Sequence, residues 1–205
     1  MKLLMCAQFL DNCGLGVAAR NYLISIFENE PEIDLKIHAV TAEKQGNNLS
    51  TYERQVIDHF SFKTETEMDN FIQKEKYIFI WHFPTSMINF IERFHGGEKV
   101  KKMLLYSWKN INSVTWEATK PPLNWIETWD KFNTSLLAMP SKWNVDNFSK
   151  FKKTKYLPYL FKLQENKEES IKLPINLDKK FVIFSMSQWD IRKGFDVLLK
   201  SFFME

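Results

Sequence analysis

Long apolar runs are what this sequence most clearly lacks. No segment strings together the roughly 18 apolar residues from which a membrane-spanning helix is built, so no transmembrane segment is expected. Cysteine is nearly absent as well. Cys6 and Cys13 are the only two in 205 residues, and two thiols without a patterned spacing exclude a cysteine-stapled scaffold and give no support to a cysteine-held metal. Charge of one sign is missing too: 28 basic and 25 acidic residues leave a net +3, too small an excess to point to nucleic acid. Nor does the chain open on a signal peptide, because Lys2 breaks the apolar start and Asp11 and Asn12 follow soon after. A cytoplasmic location is the simplest expectation.

What is present is ordinary globular composition, 44% apolar and 26% charged, in a chain long enough for one full core and a piece of another. One basic run stands out. Lys150, Lys152, Lys153 and Lys155 alternate with Phe151 and Tyr156, a pattern that suits an anionic membrane surface or phosphate, although such runs are ordinarily solvated faces.

The apolar pattern alternates between strand and helix. Lys2 to Gln8 reads as a buried strand that ends in a glycine-bearing turn. From Gly16 onward Val17, Ala18, Tyr22, Leu23, Ile26 and Phe27 recur at helical spacing until Pro31. Leu35 to Val40 is a second strand and Thr41 to Ser50 a loop. Glu65 to Lys76 predicts a helix, Tyr77 to Trp81 a strand, Ser86 to Phe94 a helix closed by Gly96 and Gly97, and Lys102 to Trp108 a strand. Pro122 to Lys131 predicts a helix and Ser135 to Met139 a strand, after which Ser141 caps another helix. Strands separated by helices imply βαβ crossovers, hence an α/β fold with a Rossmann-like, mostly parallel sheet and helices on both faces.

The expected organisation is a first domain over residues 1–163, a linker over 164–180 whose charged stretch, Gln164 to Lys172, is closed by Pro174, and over 181–205 the first βα unit of an incomplete second Rossmann-like domain. A lone βα unit leaves its apolar residues wet, which truncation explains; addition of the strand Phe181 to Met186 to the first sheet is the alternative.

Four places carry candidate chemistry. Gly14 and Gly16, in Asp11-Asn12-Cys13-Gly14-Leu15-Gly16 before Arg20, permit a tight turn and close approach of phosphate or polar groups to a helix N-terminus. The third glycine of the dinucleotide motif is lacking and no acidic residue closes the second strand at Val40, so a nicotinamide enzyme is not indicated. Glu117, after Trp116 and before Trp125, is placed to bind sugar hydroxyls while rings cover sugar faces, with core packing the competing role for the tryptophans. Arg192 and Lys193 beside Gly194 suit a diphosphate, or are a solvated pair at a helix start. His82, at a strand end, is a candidate base or sugar-oxygen ligand, with a structural role the alternative.

In this order the pieces resemble the group 1 glycosyltransferases of the GT-B fold: Gly14-Leu-Gly16 to Arg20, then Trp116-Glu117 with Pro121 and Trp125, then Pro140-Ser141-Lys142-Trp143-Asn144, and Arg192-Lys193-Gly194-Phe195-Asp196 at the opening of a second domain. The resemblance implies transfer of a hexosyl unit from a nucleoside-diphosphate sugar to a sugar or glycoconjugate acceptor held mainly by the first domain, with no metal or other cofactor. It puts Arg192 and Lys193 beside the donor diphosphate, Gly14 and Gly16 beside the donor diphosphate or the acceptor, and Trp116, Glu117 and Trp125 on the acceptor side; His82 and Glu117 are the catalytic candidates. Gln188 stands where many members have Arg, and the family's paired glutamates would lie beyond residue 205. Weak or absent turnover by this chain alone is therefore expected, the chain being either a fragment or one part of a split enzyme whose second half is separately encoded. A non-catalytic carbohydrate- or nucleotide-binding module is the alternative.

Overall fold

The computed structural model describes residues 2–40, 49–91, 97–161 and 193–204. Two units divide the chain, Met1–Leu163 and Gln164–Glu205. The first is built on six strands, β1 (Lys2–Ala7), β2 (Asp34–Ala39), β3 (Tyr77–His82), β4 (Lys109–Ser113), β5 (Thr134–Met139) and β6 (Thr154–Tyr156). They form one sheet in the order β2-β1-β3-β4-β5-β6, every pair parallel. The expected Rossmann-like α/β architecture is what the chain adopts.

Both faces of the sheet are covered, because β1 is apolar at every position after Lys2 and must be shielded on either side. Met5 and Ala7 point to one face and join a core with Tyr22 and Leu23 of α1 (Gly14–Asn29) and Val56, Ile57 and Phe60 of α2 (Thr51–Phe60). Leu4 and Cys6 alternate to the other face. There they meet Phe79 and Trp81 of β3, with Phe71 of α3 (Glu65–Lys74), Val100 and Met103 of α5 (Gly97–Tyr106), Trp129 of α6 (Leu123–Lys131) and Phe148 of α7 (Lys142–Phe148). Ile88 of the short α4 (Ser86–Ile91) packs there too.

Several elements differ from their sequence expectation. Lys102 to Trp108 is not a strand: α5 runs to Tyr106 and the strand is β4, Lys109–Ser113. The physical reason lies in spacing, since Val100, Met103 and Leu104 are buried while Leu105 and Tyr106 face water, which is the helical i, i+3, i+4 pattern inside what looked like one apolar run. Gly97 accordingly opens α5 rather than closing a helix. α2 follows the Thr41–Ser50 segment without having been expected, although its start is written in the sequence. Ser50 and Glu53 form a reciprocal capping box, each side chain bonding the other's backbone amide. β6 was likewise unread, being only three residues long.

In the second unit the described residues are Lys193, Gly194 and α8 (Phe195–Met204). Gly194 has φ +66°, a left-handed turn that glycine adopts without strain. The linker over 164–180, the strand Phe181 to Met186 and Arg192 lie outside the described residues.

Candidate functional site

In a parallel sheet the loops that leave the strands gather at one edge, and where the strand order reverses they part to leave a crevice. Here the reversal falls between β1 and β3, since the chain leaves β1 toward β2 and β3 toward β4. The loop from Gln8 to Cys13 leaves β1 at that point and is shaped by its own side chains. Gln8 Nε2 donates to Asp11 Oδ2 at 3.0 Å, the Gly16 amide donates to Cys13 Sγ at 3.4 Å and so caps α1, and the Cys13 thiol points at Gln8 Oε1, 3.8 Å away. Arg20, buried in the second turn of α1, donates through Nη1 to the carbonyls of Phe9 (2.9 Å) and Asp11 (2.7 Å). Its Nε donates to Glu53 at 2.8 Å, which ties the loop to α2.

The two glycines serve different ends. A Cβ on Gly16 would stand 2.2 Å from the Asp11 carbonyl oxygen and 2.7 Å from that of Gln8, so this glycine lets the chain's own loop press against α1. Gly14 has nothing within 4 Å of that position and borders open space.

That space is a cleft of about 590 Å³, within the size range of small-molecule sites. Asn12, Cys13 and Gly14 form one wall, Leu15, Val17, Ala18 and Asn21 of α1 its floor, and Thr115 with Tyr159, Leu160 and Phe161 the facing side. None of these side chains carries a formal charge. The segment after β6 is held over α1 by Tyr22, whose hydroxyl donates to the Pro158 carbonyl at 2.9 Å, and by Asn21, whose Nδ2 donates to the Leu160 carbonyl at 2.7 Å. A smaller hollow of about 260 Å³ continues along α1 past Ser25 and Glu28 and shares Asn21, Leu160 and Phe161.

His82 lies behind this cleft, in register with Ala7 across the β1–β3 pair, and is 1% exposed. The edges of Tyr22 and Tyr159 meet its ring at centroid distances of 5.7 and 6.2 Å. Its Nδ1 is 2.9 Å from Ser113 Oγ, while Nε2 has no hydrogen bond. Either tautomer leaves Nε2 unsatisfied: if Nδ1 donates to Ser113, a lone pair is bare, and if Ser113 donates, an N–H is. Burial removes the water that would stabilise imidazolium and pulls the pKa from 6.5 to about 4; the Leu15 backbone opposes this without reaching hydrogen-bond geometry. Histidine here is neutral at physiological pH. Tyr22 is moved the other way by burial, up to about 12, and Tyr159 is raised by burial against a hydrogen bond to Thr115.

The remaining expected site residues are scattered. Trp125 is 1% exposed and sits in a ladder of rings, 4.6 Å from Trp116 and 6.1 Å from Trp129, which in turn meets Phe148 at 6.3 Å. Trp129 Nε1 donates to Thr85 Oγ1 (3.0 Å) and Asn112 Oδ1 (3.1 Å), joining α6 to the turn beyond β3 and to β4 itself. Of the competing roles open to Trp125 and Trp129, core packing is the one they fill. Trp116 is half-buried at the end of the ladder, and Glu117 is exposed; neither borders the cleft. Asn144, of the Pro140 to Asn144 segment, is buried and donates to the Trp116 carbonyl at 2.7 Å, while Ser141 caps α7. Lys193 is exposed before α8.

The structure thus brings Gly14 together with residues that sequence reasoning did not single out, namely Asn12, Asn21, Thr115 and Tyr159. Thr115 and Tyr159 sit in irregular segments and carry no periodic signal; only the strand order puts them opposite α1. Among the described residues no group of three or more His, Cys, Asp or Glu side chains is placed to hold a metal ion. No helix among them is long and apolar enough to cross a membrane. No family model, curated protein or solved structure matches this chain. Fold and cleft together define a Rossmann-like α/β protein with a ligand-sized crevice at the carboxyl edge of its sheet.

Proposed function

We propose that the first unit is the acceptor-side domain of a sugar transferase, and that the cleft over α1 receives a neutral carbohydrate. The observation that carries this reading is the lining of the cleft. It offers uncharged donors and acceptors in Asn12, Asn21, Thr115 and the Tyr159 hydroxyl beside the apolar surfaces of Leu15, Val17 and Phe161. Sugars present that same mixture, hydroxyls around a ring with apolar faces. Cations favour a diphosphate, and the described lining of this cleft holds none. On this reading the donor is a nucleoside-diphosphate sugar whose phosphates meet Arg192 and Lys193, and the hexosyl unit passes to a hydroxyl of the acceptor. The cations would stabilise charge on the leaving diphosphate electrostatically. His82, neutral and enclosed, positions the cleft wall through Tyr22 and Tyr159 rather than touching the acceptor.

The test is calorimetric titration of the purified chain with UDP, GDP, UDP-glucose and GDP-mannose, and separately with methyl glycosides of glucose, mannose and galactose. Replacement of Arg192 and Lys193 by Ala is expected to abolish nucleotide binding and leave glycoside binding intact, whereas Thr115→Val with Tyr159→Phe does the reverse. Binding of free nucleotide regardless of its sugar, unaffected by either pair, would point instead to a nucleotide-binding module.

A further inference from the structure

Because all six strands are parallel, the turns that enter them share the edge opposite the cleft. Over β3 to β6 that amino edge combines two features. It is cationic: Lys76 precedes β3, Lys109 begins β4, Lys131 ends α6 before β5, and Lys150, Lys152 and Lys153 lead into β6. The carboxylates in the same turns are engaged, Glu75 by Lys2 at 3.0 Å and Asp130 by Lys152 at 2.8 Å. The β2 end of the edge differs, since Glu30, Glu32 and Asp34 stand there.

The same edge exposes large apolar side chains. Leu105 is 68%, Tyr106 59% and Trp108 50% exposed at the junction of α5 and β4, and Phe151 is exposed between the lysines of the β6 turn. The backbone of Trp108 and Phe151 is tied to core residues: the Trp108 amide donates to the Tyr77 carbonyl at 2.9 Å, and the Phe151 amide to the Phe148 carbonyl at 2.9 Å.

We infer that this amino edge docks the protein on an anionic lipid bilayer, with Leu105, Tyr106, Trp108 and Phe151 entering the interface and the surrounding lysines meeting the headgroups. Charge complementarity selects an anionic partner, and the apolar residues select a bilayer over nucleic acid. Tyrosine and tryptophan belong at the level of the headgroups, where one end of the ring is apolar and the other wet, and lysines near an anionic surface add attraction that salt screens. A base-stacking platform needs a free ring face. Trp108 does not offer one cheaply, because the ammonium groups of Lys76 and Lys109 both lie over its ring, 4.3 and 4.5 Å from the centroid. Docking by the amino edge leaves the cleft, at the carboxyl edge, turned away from the bilayer surface.

The test is sedimentation of the full chain with vesicles of phosphatidylcholine alone and of phosphatidylcholine with about one third phosphatidylglycerol, the proportion being on the order of that in anionic cell membranes. Binding is expected to the mixed vesicles only, and to fall with added salt. Lys109→Gln with Lys153→Gln should weaken it about 25-fold, at about fivefold for each lysine, and Leu105→Ser with Tyr106→Ser at least tenfold by removing exposed apolar area. All four side chains are on the surface, so melting temperatures should stay near that of the parent chain and report folding independently. Three results overturn the inference: no binding to the mixed vesicles, equal binding to neutral vesicles, or binding that a single-stranded oligonucleotide displaces while the Leu105→Ser, Tyr106→Ser protein binds vesicles as well as the parent.

Discussion

Lowering the pH from 7.0 to 5.0 should destabilise the first unit, and His82 should account for a defined part of the loss. In the folded chain its pKa is depressed from 6.5 to about 4 by burial; in the unfolded chain it returns to the ordinary value. Above 6.5 neither state binds the proton and the stability is fully present. As the pH falls below 6.5 the unfolded state takes up a proton that the folded state refuses, and stability drops by about 1.4 kcal/mol per pH unit until the folded histidine titrates near 4. Between pH 7.0 and 5.0 this amounts to about 2 kcal/mol, a large part of a domain stability of roughly 5–15 kcal/mol. His38 is depressed to about 4 in the same direction, by burial first and by the nearby Lys99 second, and adds a comparable loss. Glu53, whose pKa is lowered by its bonds to Ser50 and Arg20 against desolvation, contributes stability that is lost only below the ordinary carboxylate range, so pH 5.0 separates the two kinds of group. Urea unfolding of the parent and of His82→Gln at both pH values provides the assay. The substitution should remove about 2 kcal/mol of the pH dependence whatever it costs at pH 7.0. An unchanged difference between the two pH values in His82→Gln would refute the reasoning.

Other consequences follow from the loop beneath the cleft and the tryptophan ladder. Gly16→Ala drives a Cβ into the Asp11 carbonyl and should cost about 3 kcal/mol or fail to fold, while Gly14→Ala, in open space, should stay within about 1 kcal/mol, both read from urea midpoints. Arg20→Met strips three hydrogen bonds from Phe9, Asp11 and Glu53 and should destabilise by about 3 kcal/mol; amide exchange in the segment Gln8 to Cys13 should accelerate with it. Trp125→Ala, deep in the ring ladder, should cost about 3–5 kcal/mol in thermal or urea unfolding. Ser141→Ala removes the cap of α7, whose hydroxyl accepts the Asn144 amide at 3.1 Å, and should cost about 1 kcal/mol.

The fold was legible because its strongest signals are local. The apolar runs of β1 and β3 and the periodic face of α1 state their structures directly, and the alternation between them implies a parallel sheet. One apolar run here serves two elements: Met103 and Leu104 belong to the buried face of α5, yet beside Leu105, Tyr106 and Trp108 they imitate a strand. α2 went unread although Ser50 and Glu53 announce its start, because no long apolar stripe follows them. The site was less legible for a different reason. The glycine-bearing turn borders the cleft, but a sequence does not say which glycine accommodates the protein's own backbone and which borders solvent, and here Gly16 does the first and Gly14 the second. Tryptophan is ambiguous by nature, being suited to sugar faces and to cores alike, and the ladder resolves Trp125 and Trp129 as core. Tyr159 and Thr115 reach the cleft only through the order of strands in space.

Amide chemical-shift mapping tests most directly whether the cleft over α1 receives neutral sugar. Titration of the isotope-labelled chain with methyl glucoside, methyl mannoside and methyl galactoside should shift the amides of Asn12 to Ala18, Thr115 and Tyr159 to Phe161 saturably for at least one of them, with the amino-edge residues Leu105 to Lys109 unmoved. Saturable shifts confined to any other surface, or a well-dispersed spectrum that none of the three sugars alters, would contradict that reading.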